Sequence, residues 1–290
     1  MYVSSIFEGY NHRTPPLTRR EVRDRGQMAD YSISTIAIRD CRIRLMRGGA
    51  GPPLLFLHGG GGMGIWLPCM ARLAKEFQVI APEHPGFGAS DTPPWLDTVG
   101  DLANFYLDFL DQLDLSGVHL IGSSLGGWIA TEVAVRNATR LASLTLVGAA
   151  GIHLNDVAQV DTFLSNEEQR IRDLFHDQEL AEAVIAGSQR PELEDAALKN
   201  RMMTAKLSWQ PRNHDPHLRK WLHRIKVPTL LIWGDHDRVF PKDYAFAFQG
   251  LIPGAKAVII ADCGHLPHVE KGDAFAAELE VFIGAMRIAA

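Results

Sequence analysis

The sequence VHLIGSSLGG, residues 118–127, carries the clearest structural signal in the chain. Its first four residues have the character of a buried strand, and a helical pattern starts directly after the glycine–serine segment. Ser124 has a glycine two positions before it and another two positions after it. A nucleophile at a sharp strand-to-helix turn occupies strained backbone and needs small residues at those two positions. The spacing therefore predicts Ser124, and not Ser123, as a nucleophile; the alternative is a glycine–serine loop without chemistry.

The sequence on either side alternates short apolar runs of strand length with longer amphipathic segments. Residues 34–38 and 42–46 predict a pair of edge strands. Further strands are predicted at residues 54–57, 78–81, 141–147, 229–233 and 257–260, and helices near residues 65–75, 102–113 and at the C-terminal end. This alternation is typical of an α/β sheet.

The alternation stops for some seventy residues after Gly148 and resumes at residue 229. We interpret residues 151–224 as a helical cap inserted into an α/β core of residues 31–150 and 225–290. Residues 1–30 are polar and contain Pro15 and Pro16, which predicts a poorly ordered arm. The alternative is an upstream start, with the protein beginning at Met28.

The composition restricts the classes of protein and of partner. The chain has 290 residues, 46% of them hydrophobic and 22% charged, which excludes a disordered chain, a collagen and a disulfide-rich miniprotein. The net charge is −5, and no cluster of lysine and arginine of the size that follows a phosphate backbone occurs. We therefore expect a small-molecule substrate and no nucleic acid.

The three cysteines, Cys41, Cys69 and Cys263, are far apart and odd in number, which favours reduced thiols and a cytoplasmic location. No apolar run approaches the roughly 18 residues of a membrane helix. The pair Arg19–Arg20 is followed by charged residues rather than by the apolar stretch of a secretory signal. No cofactor is expected. No metal site is expected either: His214 and His217 lie three positions apart, but Asp215 and Pro216 between them indicate a turn rather than a pair of ligands.

The loop after the strand at residues 54–57 reads His58-Gly59-Gly60-Gly61-Gly62. Neither phosphate-binding pattern, GxGxxG or GxxxxGK[ST], fits this run, so we do not interpret it as a phosphate cradle. Acyl transfer needs two N–H donors directed at the oxyanion. We assign these to the backbone of Gly60 and of Leu125, the residue after the candidate nucleophile. His58 is expected to order the loop by hydrogen bonding.

Five motifs occur in an order and spacing that resemble those of the α/β-hydrolase superfamily. They are HGGGG at 58–62, PGFGAS at 85–90, GSSLGG at 122–127, GDHD at 234–237 and GHLPHVE at 264–270. The resemblance covers the chain from about residue 33 to its end. It implies a mostly parallel eight-stranded sheet flanked by helices, with a cap after the sixth strand. This chain departs from the family pattern at Glu83, where many relatives carry aspartate. The departure leaves the geometry of the neighbouring loop open but not the triad.

The order of the triad in this superfamily is serine, then an acid, then histidine. His265, just beyond the last predicted strand, fits the position of the base, with His268 as its rival among the twelve histidines. Asp237 is our choice for the acid, because the turn after residue 233 needs some residues before a side chain can face back to His265. Asp235 is expected to serve the turn.

The resemblance implies a serine-dependent hydrolase, and we expect a small carboxylic ester as its substrate. Enzymes of this superfamily that use an aspartate nucleophile are excluded as models, because this chain has Ser124 at that position. The alternative is carbon–carbon cleavage, as in the meta-cleavage product hydrolases, whose cap arginine would correspond to Arg201. Those enzymes typically show HGxGPG, where this chain has Gly62 in place of the proline, and tryptophan where it has Leu266. Acyl transfer to another nucleophile and a non-enzymatic binding module are further alternatives.

The cap is expected to determine specificity. Arg201, Trp209 and Leu266 are our candidates for substrate contact. Aromatic and methionine side chains of the cap could line an apolar pocket or form the cap's own core, and these are Phe163, Phe175, Met202, Met203, Trp209 and Trp221. A homodimer is compatible with the leucine-rich helices.

Overall fold

The computed structural model describes residues 31–289, so the predicted arm at residues 1–30 lies outside the described residues. Eight strands within this range form one sheet. The strands are β1 (Tyr31–Ile38), β2 (Cys41–Gly48), β3 (Pro53–Leu57), β4 (Gln78–Pro82), β5 (Val118–Ser123), β6 (Leu141–Val147), β7 (Thr229–Gly234) and β8 (Lys256–Ile260).

The helices follow the strands in the alternation that the sequence predicts. They are α1 (Pro68–Leu73), α2 (Val99–Gln112), α3 (Leu125–Arg136), α4 (Glu167–Leu174), α5 (Gln178–Ser188), α6 (Pro191–Ser208), α7 (Asp243–Leu251), α8 (Pro267–Glu270) and α9 (Gly272–Ala289), with a 3₁₀ helix at Leu218–Arg224. Helix α2 begins with a capping box, in which the Thr98 hydroxyl and the Asp101 carboxylate each accept a backbone N–H of the other residue.

The sheet order is β1-β2-β4-β3-β5-β6-β7-β8. The pairs β1–β2 and β2–β4 are antiparallel, and all pairs from β4 through β8 are parallel. The expected α/β-hydrolase fold, with a mostly parallel eight-stranded sheet, is confirmed. The prediction of two edge strands near the start was wrong for β2, because β2 pairs on both sides and, of these two strands, β1 alone is at an edge.

The two faces of the sheet are buried under different helices. Val118 and Leu120 of β5 face the core under α2 and α3, whereas Ile121 faces the core under α1 and α9. This alternation follows from the two-residue period of a strand. Because both faces are covered, the strand ends at the carboxyl edge are free to carry loops, and the predicted nucleophile lies there, directly after β5.

The segment between β6 and β7 contains α4, α5, α6 and the 3₁₀ helix, in agreement with the helical pattern of residues 151–224. It has a small apolar cluster of its own, formed by Ile171, Phe175, Ala181 and Ile185. The three cysteines are buried and unpaired. Among residues 31–289, no helix combines the length and the apolar character that a membrane crossing requires.

Candidate active site

The strand-to-helix turn after β5 holds Ser124 in strained backbone. Its φ is +52° and its ψ is −115°, and helix α3 begins at the next residue. A Cβ on Gly122 would lie 2.3 Å from the carbonyl oxygen of Gly126, and a Cβ on Gly126 would lie 2.2 Å from that of Leu57. Both glycines are therefore required by close backbone contact. Positive φ at a non-glycine residue marks a conformation that the surrounding structure enforces.

The backbone around Ser124 is tied to the neighbouring strand. The Ser124 N–H donates to the Val147 carbonyl at 2.9 Å, and the Ser124 carbonyl accepts the N–H of Ala150 at 3.1 Å. Leu125 is the first residue of α3, where a backbone N–H has no partner within its own helix. The Leu125 N–H is thus available to an anion at the helix N-terminus, where the helix dipole also favours negative charge.

His265 and Asp237 meet although 28 positions separate them in sequence. The His265 Nδ1 atom lies 2.8 Å from Asp237 Oδ2, and both side chains are almost completely buried. The other carboxylate oxygen, Oδ1, accepts the backbone N–H groups of Val239 and Phe240, each at 2.9 Å. The Asp237 carboxylate is thus held at both oxygens, and its Oδ2 orients the imidazole so that Nε2 remains available as a base.

The two rival residues have other surroundings. Asp235 Oδ1 accepts the Cys263 N–H and contacts His236, so it serves the turn as expected. His268 is buried between Phe56 and Phe275, and its Nδ1 atom has no hydrogen-bond partner. Burial lowers the pKa of His268 to about 3, so its ring is neutral at ordinary pH.

The glycine loop at residues 58–62 is ordered by a histidine at its start. His58 Nδ1 lies 2.7 Å from the Gly59 carbonyl, and the Gly62 N–H donates to the same oxygen at 3.1 Å. On its other side, His58 Nε2 accepts the His84 N–H at 3.0 Å. Burial lowers the pKa of His58 to about 4, and the ring therefore stays neutral and keeps this acceptor. His58 orders the loop, as the sequence suggested.

A second buried ring extends this network. His84 Nε2 contacts the His58 carbonyl at 2.9 Å, and His84 Nδ1 contacts the Tyr106 hydroxyl. Burial lowers the pKa of His84 well below its ordinary value and raises that of Tyr106. The chain of neutral groups from Tyr106 to Gly59 thus connects helix α2 to the glycine loop.

A cavity of about 420 Å³ lies between this loop, the nucleophile turn and the segment after β6. Its wall contains Ser124, Leu125, His265 and the glycines 59–62. Apolar side chains form most of the remaining wall, and they include Ile65, Leu67, Phe163, Ile171, Leu174, Phe175, Val184, Leu193, Val239, Phe240 and Val269. Ser124 is partly exposed to this space, while no hydrogen bond joins its Oγ to His265 among the described residues. Such contacts often tighten only when substrate binds.

The predicted substrate contacts divide into two groups. Arg201 and Leu266 line the cavity. Trp209 is not part of the cavity wall; it is about half exposed and packs on Phe163 and on the guanidinium of Arg212. Of the other cap residues named from the sequence, Phe163 and Phe175 reach the cavity, Met203 is buried away from it, and Met202 and Trp221 are exposed. Helical spacing alone could not distinguish these orientations.

The comparisons with known proteins agree with the fold. A family model for the alpha/beta hydrolase fold matches residues 52–272. The chain belongs to the α/β-hydrolase family. It is 27% identical to 2-hydroxy-6-oxo-6-(2'-aminophenyl)hexa-2,4-dienoic acid hydrolase of Metapseudomonas resinovorans, over 80% of this chain and 84% of that protein. It is 28% identical to Lipase 1 of Psychrobacter immobilis, over 80% of this chain and 77% of that protein.

A solved structure extends the likeness to the whole α/β-hydrolase architecture. The crystal structure of a membrane phospholipase A, a bacterial virulence factor, matches with a TM-score of 0.76 at 26% identity, covering 92% of this chain and 91% of that one. Family membership supports hydrolase chemistry. No group of three or more histidine, cysteine, aspartate or glutamate side chains able to hold a metal ion occurs within residues 31–289.

Glu83, the departure from the aspartate of many α/β-hydrolases, forms a buried contact. Its carboxylate lies 3.3 Å from Arg44 and accepts the Ala89 N–H at 2.9 Å. Burial raises the pKa of Glu83, and the nearby Arg44 charge opposes that rise. A Cβ on Gly88, at φ +47°, would meet this carboxylate at 2.4 Å, so the longer acid fills space that the glycine leaves free.

Sequence reasoning missed two polar residues of α6, Asn200 and Thr204. Both line the cavity and donate to carbonyls of the glycine loop. No motif marks them, because a threonine and an asparagine on a helix have no sequence signature when their partners are backbone groups more than one hundred positions away.

Proposed function

We propose that this α/β-hydrolase cleaves small carboxylic esters by nucleophilic catalysis at Ser124. The observation that carries the proposal is that Ser124 and His265 line one cavity while Asp237 holds His265 from behind. Ser124 stands on a strained turn, His265 faces the same space, and the buried Asp237 orients the imidazole at 2.8 Å. A serine hydroxyl is a weak nucleophile unless a neighbouring base takes its proton, and this arrangement supplies that base.

In the proposed reaction, Ser124 Oγ attacks the ester carbonyl carbon while His265 Nε2 takes the hydroxyl proton. The negative charge that forms on the carbonyl oxygen is stabilised by the N–H groups of Leu125 and Gly60. His265 then gives its proton to the leaving alcohol, and an acyl-enzyme remains on Ser124. Water, deprotonated by His265, attacks this acyl group and releases the acid.

The cavity supports an ester with an apolar acyl or alcohol group. Its wall is dominated by aliphatic and aromatic side chains from the core and from α4, α5 and α6. We propose that the segment of residues 151–224 acts as a cap, because these three helices form the wall opposite the nucleophile turn. Burial of each methylene group of the substrate in such a wall contributes about 0.8 kcal/mol.

A second candidate is carbon–carbon hydrolysis of a dienoate. Two arginines, Arg170 and Arg201, line the cavity, and Glu167 is the carboxylate that contacts both. One positive charge is therefore left over to hold an anionic substrate group. The relative from Metapseudomonas resinovorans is a hydrolase of a dienoic acid, which supports this candidate. The Lipase 1 likeness favours the ester.

The deciding experiment compares the protein with Ser124→Ala on p-nitrophenyl esters of increasing chain length and on one meta-cleavage dienoate. We expect ester turnover that falls by about 10³-fold or more in the variant. The melting temperature should change little, since the side chain is small and partly exposed. Ester turnover that persists in Ser124→Ala would overturn the proposal, and turnover of the dienoate far above that of every ester would select the second candidate.

A matched pair of variants tests the choice of the acid. Asp237→Asn keeps an oxygen for the Val239 and Phe240 N–H groups but presents a donor to His265, which imposes the wrong tautomer. We expect kcat to fall by about 10⁴-fold. Asp235→Asn, two positions earlier, is the control. Because Asp235 makes no bond to His265, we expect its kcat to fall by less than about threefold. The reverse pattern would make Asp235 the catalytic acid.

A further inference from the structure

Each of three consecutive carbonyls in the glycine loop accepts a hydrogen bond from a side chain. The Gly59 oxygen contacts His58 Nδ1 at 2.7 Å. The Gly60 oxygen accepts the Thr204 hydroxyl at 2.9 Å, and the Gly61 oxygen accepts the Asn200 amide at 2.9 Å. Two of the three donors thus come from helix α6, which lies outside the α/β core.

The Asn200 bond bears on the Gly60 N–H through peptide geometry, and the Thr204 bond holds the next peptide along the chain, which joins Gly60 to Gly61. In a trans peptide the C=O and N–H point in opposite directions. The Gly60 N–H shares its peptide with the Gly59 carbonyl, whose direction is set by His58 and by the Gly62 N–H. The Gly62 N–H in turn shares its peptide with the Gly61 carbonyl, which Asn200 holds. Asn200 is therefore linked to the Gly60 N–H through two peptide groups, 61–62 and 59–60, which the hydrogen bond from the Gly62 N–H to the Gly59 carbonyl joins.

Thr204 and Asn200 also occupy the space beside the loop. A Cβ on Gly60 would lie 2.8 Å from the Thr204 side chain, and a Cβ on Gly62 would lie 2.3 Å from Asn200 Nδ2. A run of four glycines has more conformational freedom than any other backbone. Contacts from outside the loop are needed to keep it in one conformation, and α6 supplies them on the side that faces the cap.

Helix α6 is itself anchored to the core by neighbouring bonds. Asn200 Oδ1 accepts the Gly88 N–H at 2.8 Å, so one buried side chain bridges two core loops. Lys199 Nζ donates to the carbonyls of Gly88 and Ser90, at 2.9 and 2.6 Å. About two turns further on, Lys206 Nζ donates to the Leu96 carbonyl at 2.6 Å, away from the glycine loop.

We infer that Thr204 and Asn200 are positioning residues of the oxyanion hole, which is correctly formed only when α6 is docked on the glycine loop. The inference rests on the proposed ester hydrolysis. An N–H donor stabilises an oxyanion strongly only when its direction is set before the reaction, and misplacement by about 1 Å can cost roughly 100-fold in rate. Substrate binding and oxyanion stabilisation are thus coupled through one helix, which contributes to both.

The test uses Thr204→Val, which keeps the shape and removes the hydroxyl, and Thr204→Ser, which restores it. The measurements are kcat and KM for a short p-nitrophenyl ester, and the inhibition constant of an alkyl boronic acid, which forms a tetrahedral adduct on serine. We expect Thr204→Val to lower kcat by about 10- to 100-fold, with KM within threefold, and to weaken the boronic acid by a similar factor. Thr204→Ser should recover most of both losses.

Asn200→Leu provides an independent variant and should act in the same direction on kcat and on boronic acid affinity. Lys206→Met is the matched control, since it removes the contacts of the same helix with the Leu96 carbonyl and with Asp97 without touching the glycine loop. It should shift the melting temperature as much as Thr204→Val does while leaving kcat within about twofold.

Three results would overturn the inference: an unchanged kcat in Thr204→Val, a rise in KM alone, or an equal loss of kcat in Lys206→Met. The first two would make Thr204 a substrate contact or a purely structural residue, and the third would indicate general loosening of the cap. Each of these results requires turnover that Ser124→Ala abolishes. Turnover that survives Ser124→Ala would instead overturn the proposed function, and the positioning role with it.

Discussion

The nucleophile turn, residues 122–126, and the glycine loop, residues 58–62, face the same cavity but are held in different ways. At the turn, the backbone is confined by contact, since a Cβ at Gly122 or Gly126 would overlap backbone atoms at 2.3 and 2.2 Å. In the loop, a Cβ at Gly61 would meet nothing within 4 Å, and the carbonyls are held by side chains of other elements.

The turn is thus held by steric contact, whereas the loop is held by hydrogen bonds from side chains. The turn is confined by backbone of strand β3 and of the start of helix α3, which are packed in the core and cannot adjust without loss of the fold. The loop depends on groups that can move away, two of which are on a helix between β6 and β7. We therefore expect an added side chain at Gly122 or Gly126 to affect stability and activity together, and loss of the side-chain bonds to the loop to affect mainly the rate.

Among the glycine and histidine variants that compare the two regions, the largest effect on stability is expected from Gly126→Ala. The new methyl group would overlap the carbonyls of Leu57 and His58, at 2.2 and 2.5 Å, and force the turn and strand β3 apart. We expect a loss of about 3 kcal/mol in the free energy of unfolding, as for severe overpacking. Ester turnover should fall by about 100-fold or more through displacement of Ser124. Denaturant unfolding and steady-state kinetics measure the two.

Gly250→Ala is the matched control for this prediction. Gly250 lies in helix α7, and a Cβ there meets nothing within 4 Å. The substitution should be neutral or stabilise the protein by about 0.5–1 kcal/mol, because alanine favours a helix over glycine. Equal stability losses in the two variants would show that the turn is not confined by contact.

A smaller effect is expected from Gly62→Ala, which strains the loop. Gly62 has φ +87°, and the methyl group would lie 2.3 Å from Asn200 Nδ2. The positive φ should cost about 1–2 kcal/mol of stability. We expect kcat to fall by about tenfold as the Asn200 contact is displaced, with KM nearly unchanged.

A double-variant cycle identifies the cause of that loss. If the clash with Asn200 is responsible, Gly62→Ala should cost much less kcat in an Asn200→Ala background than in the wild-type protein. Additive losses would show that Gly62 and Asn200 act separately, and would place the strain in the backbone alone.

The smallest expected effect is a pH dependence of the free energy of unfolding. It distinguishes the two regions because the loop contains a titratable residue, His58, and the turn contains none. The pKa of His58 is lowered to about 4 in the folded protein, whereas a histidine in the unfolded chain titrates near 6.5. The unfolded state therefore binds more protons between these values, and stability falls as the pH drops through this window. His58 should account for about 1 kcal/mol between pH 6.5 and 5.5.

Urea unfolding from pH 8 to pH 5 tests this dependence. His58→Gln should reduce the slope of unfolding free energy against pH by up to one proton, while Ser124→Ala, within a turn that contains no titratable group, should leave the slope unchanged. The same slope in the wild type and in His58→Gln would mean that His58 titrates in the fold with the same pKa as in the unfolded chain.

Much of the fold followed from local pattern. The observed strands β3 through β8 lie within one or two residues of the predicted apolar runs, because a strand buried on both faces must be apolar throughout. The interior position of β2 was missed, since pairing on a second side leaves no mark in an alternating strand. Asp237 and His265 could be named through family order, but the 2.8 Å contact between them required the folded chain.

The pocket was the least predictable part. Arg201 and Leu266 line the cavity, whereas Trp209 packs outward on Arg212. An amphipathic helix with several large side chains allows more than one face to be buried, and only packing against the core selects the face. The roles of Asn200 and Thr204 were invisible for a related reason, because their partners are carbonyls that every residue possesses.

The sequence by itself determined the α/β class, the strained turn at Ser124 and the presence of a glycine loop, since these depend on residue size, on apolar period and on spacing along a few neighbouring residues. The tertiary structure alone decided which cap residues face the cavity and how the Gly60 N–H is directed. Those features depend on contacts between segments more than one hundred residues apart, whose relative positions follow from the packing of the whole chain rather than from any local pattern.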